Sequence, residues 1–112
     1  MSAITTHVLD TSRGRPAFGF QVELQVKSGK NWKKLGAGLT DANGRCTELL
    51  GDSQLEARTV RLLFKSGAYY AELYLETLFP EITIVFEVLH PEANYHVPLL
   101  ISPFGYSTYR GS

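Results

Sequence analysis

Three histidines, one cysteine and a set of arginines and tyrosines carry most of the chemical potential in this 112-residue sequence. An imidazole with an unperturbed pKa of about 6.5 takes or gives a proton near neutral pH. His7 lies in Thr5-Thr6-His7-Val8-Leu9-Asp10 and His96 in Asn94-Tyr95-His96-Val97-Pro98, and both stretches read as strands. Each is compatible with a hydrogen-bonded strand histidine and with a general acid or base. The pair could also hold zinc, but no third ligand is evident. His90 precedes Pro91 and reads as a solvated turn residue. Arg45 and Cys46 are adjacent, so on a strand they face opposite ways. If Arg45 faces a site, Cys46 faces the core as an inert thiol.

Other motifs reduce to structure. Gly36-Ala37-Gly38 lacks the third glycine of a dinucleotide loop, and Asp41-Ala42-Asn43-Gly44 begins like a calcium loop but continues with Arg45 where an oxygen ligand is needed. There is no Gly-x-Ser-x-Gly elbow. Tyr69, Tyr70 and Tyr74 read as helix packing residues, and Trp32-Lys33-Lys34 as an edge strand protected by lysines. The last residues, Ser107-Thr108-Tyr109-Arg110-Gly111-Ser112, are rich in hydrogen-bonding groups and do not resemble a fraying end.

The elements that must position these groups are mostly strands. Phe20 to Val26 alternates apolar and polar residues, as a half-buried antiparallel strand does. Val60 to Phe64 and Ile82 to Val88 are β-rich, the latter reading as more deeply buried because its apolar run is nearly continuous. Further strands are expected at Ile4 to Asp10, Trp32 to Leu39, Arg45 to Leu50, Tyr95 to Ser102 and Gly105 to Arg110. Gly14-Arg15-Pro16, Ser28-Gly29 and the Asn43-Gly44 step supply turns. Pro98 restricts its strand to an edge or to a place where the missing N–H is not needed. Ala68 to Leu78 has helical spacing, with Ser66 as a candidate N-cap and Pro80 as a stop. The expectation is an all-β, two-sheet β-sandwich of about eight strands with one short helix, a single domain over residues 1–112.

Eleven basic residues balance eleven acidic ones, with no run of like charge, which speaks against a nucleic-acid partner. No apolar run is long enough to span a bilayer, so no membrane role is expected. The start, Met1 to His7, has no leader-like pattern, and one cysteine excludes an intrachain disulfide; both point to the cytoplasm.

Two stretches are specific enough to carry a resemblance. Thr6-His7-Val8-Leu9-Asp10-Thr11 with Gly14-Arg15-Pro16-Ala17, and His96-Val97-Pro98-Leu99-Leu100 running to Tyr109-Arg110-Gly111-Ser112, resemble the two signatures of the transthyretin-like 5-hydroxyisourate hydrolases. Asp41 to Arg45 and Phe79-Pro80-Glu81 fall where that family has them, so the likeness covers essentially the whole chain. The terminal Tyr-Arg-Gly-Ser is the discriminating element, since hormone-carrying transthyretins lack it. Asn94 departs from a pattern that commonly has His-Tyr-His, which touches an auxiliary contact.

The resemblance implies two four-stranded sheets and one short helix, assembled as a homotetramer (a dimer of dimers) with sites in a channel between dimers. It implies one sheet carrying His7, Arg45, His96 and the final strand. The implied reaction is hydrolysis of 5-hydroxyisourate to 2-oxo-4-hydroxy-4-carboxy-5-ureidoimidazoline in urate degradation, by water attack on a ring acyl C–N bond. Its implied catalytic set is His7, Arg45, His96 and Ser112. His7 and His96 would activate water and move protons, Arg45 would stabilise developing charge, and Ser112 would offer its hydroxyl and a free carboxylate. Tyr109, Arg110 and Thr108 would bind substrate and fix the terminus. No metal or organic cofactor is implied. The competing readings are a transthyretin-like carrier, which would want an apolar lining, and a plain β-sandwich interaction module.

Overall fold

Strands that alternate apolar and polar side chains must each bury one face, and two sheets packed face to face meet that demand. The computed structural model, which describes residues 3–112, has this form. Met1 and Ser2, the start of the stretch expected to lack a leader, lie outside the described residues. In chain order the elements are β1 (Ile4–Asp10), β2 (Arg15–Pro16), β3 (Gln21–Ser28), β4 (Asn31–Leu39), β5 (Arg45–Cys46), β6 (Thr59–Phe64), α1 (Ser66–Glu72), β7 (Ile82–Glu87), β8 (Tyr95–Ser102) and β9 (Gly105–Thr108).

One sheet is antiparallel in the order β4-β3-β6-β7. The other runs β2-β1-β8-β9, with β5 also paired to β1. Its β1 and β8 are parallel, while the pairings of β2, β5 and β9 are antiparallel. Between the sheets lie fully buried Phe20, Leu24, Leu62, Phe64, Leu99 and Ile101. Each is worth about 1.5–3 kcal/mol relative to an exposed side chain. Phe20 and Phe64 meet edge to face at 6.3 Å between centroids. Buried Asp10 is satisfied by Tyr69 Oη at 2.7 Å, Ser12 Oγ at 2.7 Å and the Arg13 N–H at 3.2 Å, as a carboxylate away from water must be.

Several elements differ from expectation. The strand expected to be deeply buried, β7, is the open edge of its sheet, with Val85 54% exposed, because no further strand pairs beyond it. Arg15 and Pro16, expected in a turn, fold back along β1 opposite Asp10 and Leu9. The strand expected to reach Leu50 ends at Cys46, and the following loop turns inward to bury Leu49.

The helix starts and stops early. Lys65 occupies the N-cap position, and Ser66 Oγ instead donates to the Phe79 carbonyl at 2.6 Å. Tyr74 adopts φ +57°, outside the helical range, and is 95% exposed rather than packed. The segment beyond it bonds elsewhere: Leu78 N–H reaches the Pro103 carbonyl at 2.9 Å. Tyr69 and Tyr70 do pack, Tyr69 at 4.9 Å from the Phe20 ring. β4 is an edge strand, as Trp32-Lys33-Lys34 indicated, and the Arg61 guanidinium lies 4.3 Å over Trp32.

Gly36 on β4 tests how tightly the inward loop closes the sandwich. A Cβ there would stand 1.8 Å from the Leu49 carbonyl oxygen. Gly36→Ala should therefore cost about 1–3 kcal/mol, read as a lowered midpoint in urea or heat.

Candidate active site

Alternation along β1 sends Ile4, Thr6, Val8 and Asp10 into the core and Thr5, His7 and Leu9 to the outer face. On β8, Tyr95, Val97, Leu99 and Ile101 go inward, leaving His96, Pro98 and Leu100 outside. The parallel register sets Thr5 opposite His96 and His7 opposite Pro98. On the other side of β1, β5 sets Arg45 opposite His7, with Arg45 exposed and Cys46 buried. Burial pushes the Cys46 thiol up, so it stays protonated and unreactive. Two strand pairings, β1 with β8 and β1 with β5, thus gather His7, Arg45 and His96 on one sheet face.

Each imidazole is held through one nitrogen. His7 Nε2 lies 2.8 Å from the Asn43 carbonyl oxygen. A carbonyl only accepts, so Nε2 carries a proton, and in the neutral ring Nδ1 then keeps its lone pair. His96 Nδ1 lies 2.8 Å from Thr5 Oγ1, a hydroxyl that serves either as donor or as acceptor, so Nε2 is uncommitted. Burial first, then the Arg45 charge, then His7, lower the His96 pKa below its ordinary 6.5. Arg45 itself has no salt-bridge partner among the described residues.

The C-terminal residues close the site from the β9 side. β9 pairs with β8 as far as Thr108 opposite Leu99. The next hydrogen-bonded position would set Tyr109 opposite Pro98, which has no N–H to give. Pairing lapses there and resumes in the same register as a bridge between Gly111 and His96, the Gly111 N–H reaching the His96 carbonyl at 2.7 Å. β8 is therefore an interior strand that tolerates Pro98 where its missing N–H interrupts the partner. The bridge also requires glycine, because a Cβ on Gly111 would stand 2.6 Å from His96 Cδ2.

An open cleft of about 610 Å³ results, lined by His7, Arg45, His96, Tyr109 and Ser112 together with Thr5 and Asn94. Thr108 and Arg110 are not brought to it. They belong to a neighbouring, mostly apolar hollow of about 380 Å³. Thr108 Oγ1 donates to the Pro98 carbonyl at 2.7 Å. Arg110 reaches the Asn94 carbonyl at 3.2 Å and lies 4.5 Å over the Tyr95 ring, so it fastens the terminus. His90 is in a solvent-facing turn, 3.7 Å from Glu92. Among the described residues no three His, Cys, Asp or Glu side chains converge as a metal site would need, and no helix is long and apolar enough to cross a membrane.

The family model described as HIUase/Transthyretin family matches residues 4–111. The chain belongs to this family. It is 41% identical over 109 residues to a 5-hydroxyisourate hydrolase of Salmonella dublin, covering 97% of this chain and 80% of that protein. The solved structure of Klebsiella pneumoniae 5-hydroxyisourate hydrolase superposes with a TM-score of 0.87 at 37% identity, over the full length of both chains. Sea bream transthyretin in complex with thyroxine superposes with a TM-score of 0.89 at 29% identity, over 96% of this chain and 93% of that one. The two superpositions are equally good, so backbone shape alone does not separate hydrolase from carrier; site chemistry must.

Thr5 and the Asn43 carbonyl were not singled out in the sequence, although each fixes a histidine. Thr5 has no local signal, because it faces His96 through a pairing 91 residues distant in sequence. The Asn43-Gly44 turn was visible, but only as a turn.

The neighbours of His96 make its titration a direct test. With its pKa lowered, the folded state binds the proton less readily than the unfolded one. His96 therefore costs stability as pH falls through 6.5 toward its folded value, and costs none well above 6.5. The His96 Cε1–H resonance should titrate with a midpoint below 6.5. Arg45→Ala should move that midpoint upward by removing the second largest cause, while burial keeps it below the ordinary value.

Proposed function

We propose that this chain hydrolyses 5-hydroxyisourate by adding water across a ring acyl C–N bond, with His7, Arg45, His96 and Ser112 as the catalytic set. The observation that carries this reading is the pair of imidazoles, each tied by one nitrogen, sharing a cleft with a guanidinium that has no carboxylate partner among the described residues. An unpaired guanidinium offers its fork of donors to a substrate oxygen. A channel meant to hold an apolar hormone would gain nothing from these groups and would bear the cost of desolvating them.

The two hydrogen bonds divide the work. The Asn43 carbonyl commits His7 Nε2 as a donor, so Nδ1 is the acceptor that takes a proton from water as the water oxygen bonds to the acyl carbon. The carbonyl electron pair moves onto oxygen, where Arg45 stabilises the charge. His96 stays neutral near pH 7 and donates from Nε2 to the same oxygen, with Thr5 Oγ1 donating to Nδ1. As the oxyanion collapses, the C–N bond breaks and the nitrogen recovers the proton from His7 Nδ1. Ser112 contributes its hydroxyl to orient water, and Tyr109 walls the cleft.

A homotetramer is part of the proposal. β7, the β8–β9 turn and β9 present Val85, Phe104 and Tyr106, which are 54%, 67% and 42% exposed. Apolar side chains at open strand edges favour pairing with a second copy. The cleft lies on an outer sheet face, where a facing dimer would cover it.

The test generates 5-hydroxyisourate in the cuvette from urate with urate oxidase and follows its ultraviolet decay. Wild type should accelerate the decay. His7→Ala and Arg45→Ala should each lose about 10²–10⁴ in rate while eluting as the same tetramer. Variants that lose activity only by losing assembly would overturn the assigned roles, and an inert wild-type tetramer would overturn the reaction.

A further inference from the structure

Asp41 lies outside the cleft and is exposed, yet the turn it opens touches both His7 and Arg45. Its Oδ1 accepts the Asn43 N–H at 2.9 Å and the Arg45 N–H at 3.0 Å. Its own backbone closes the same turn, the Gly44 N–H reaching the Asp41 carbonyl at 2.9 Å and the Asp41 N–H reaching the Arg45 carbonyl at 2.8 Å. The turn is then pressed onto β1: Val8 N–H donates to the Gly44 carbonyl at 2.8 Å, and the Asn43 carbonyl meets His7 Nε2. Gly44 permits this approach. It sits at φ +79°, and a Cβ there would stand 2.4 Å from the Val8 carbonyl oxygen and 3.3 Å from His7 Cδ2.

We infer that Asp41 is a positioning residue for the reaction, gripping the Asn43 and Arg45 N–H groups so that the Asn43 carbonyl keeps the His7 proton on Nε2 and leaves Nδ1 free as the base. The inference rests on the hydrolytic reading for its kinetic consequence, but not for its structural one. Both gripped N–H groups are at the surface, so without the carboxylate they turn to water and the chain still folds. What is lost is the fixed direction of one carbonyl, and with it the preference for one imidazole tautomer. Arg45 loses the fixed backbone that starts its side chain toward the cleft.

The experiment uses full-length protein labelled with ¹⁵N-histidine. Long-range ¹H–¹⁵N spectra read the His7 tautomer without substrate, and ultraviolet assays give kcat and KM. In wild type the Nε2–H form should dominate. Asp41→Ala should mix the two tautomers and lower kcat about 10- to 100-fold. Asp41→Asn, which keeps an acceptor oxygen in place, should restore both readouts. Asp52→Ala, in a turn that does not touch the cleft, should change neither. Should Asp41→Ala fail to fold, Asp41→Gln carries its acceptor past both N–H groups and gives the same readout. A wild-type tautomer in Asp41→Ala, or failure of Asn to rescue, overturns the inference. Inert wild-type protein would instead overturn the hydrolytic reading, while the spectra still decide what Asp41 does to His7.

Discussion

Because side chains alternate along a strand, the pairing of β1 with β8 decides at once which residues fill the core and which reach the cleft. A slip of one residue would bury His7 and His96 and expose Val8 and Val97. Two buried polar groups guard against that slip. Thr6 Oγ1 donates to the Val97 carbonyl at 2.6 Å, and Asp10 is bonded to Tyr69 beneath the helix. In any other register Thr6 would lose the Val97 carbonyl inside an apolar interior, at a cost of about 1–3 kcal/mol, and Asp10 would lose Tyr69 and keep only the partners in its own turn. The buried polar residues therefore help hold His7 and His96 on the outer face, and β5 adds Arg45 by pairing with the other side of β1.

Much of this was legible from period-two patterning, and the failures have physical causes. β1, β3 and β8 were readable because one face of each is buried against the other sheet, which is what alternation records. The run Ile82 to Val88 misled because an apolar outward face reads the same in sequence whether a neighbouring strand covers it or it stands at an open sheet edge, as here. The helix was read too long because Leu73, Thr77 and Leu78 keep helical spacing, whereas hydrogen bonds to Pro103 draw that segment away after Glu72. At the site, His7, Arg45, His96, Tyr109 and Ser112 were named from the sequence and share one cleft. Thr108 and Arg110 were named with them, but a strand's alternation, continued into the terminus, turns them to the opposite face. Thr5 meets His96 through a pairing 91 residues distant, which no local pattern reveals, and the turn at Asp41 was legible but not its meeting with His7.

Backbone shape alone says little about what such a sheet face does. A transthyretin in complex with thyroxine and a 5-hydroxyisourate hydrolase superpose on this chain with TM-scores of 0.89 and 0.87, so the fold does not separate them. Outward positions of β1, β5 and β8 carry no weight of the core. They can exchange apolar for polar residues without disturbing the sandwich. An imidazole placed there needs a fixed partner if its ring is to keep one orientation. Here the Asn43 carbonyl and the Thr5 hydroxyl supply one for each imidazole.

Pro98 separates the rigid part of the cleft from its adjustable wall. Were residue 98 able to donate, Tyr109 would be tied into the β8–β9 ladder and the terminus would continue as ordinary strand. With the N–H missing, residues 109 and 110 are held by side chains instead, chiefly through Arg110 over Tyr95 and on the Asn94 carbonyl, before Gly111 rejoins His96. An exposed cation–π contact is worth about 0.5–1 kcal/mol, far less than a run of ladder bonds with its buried side chains. His7, Arg45 and His96 thus stand on paired strands that open only with the fold, while Tyr109 and Ser112 belong to a segment that detaches at lower cost.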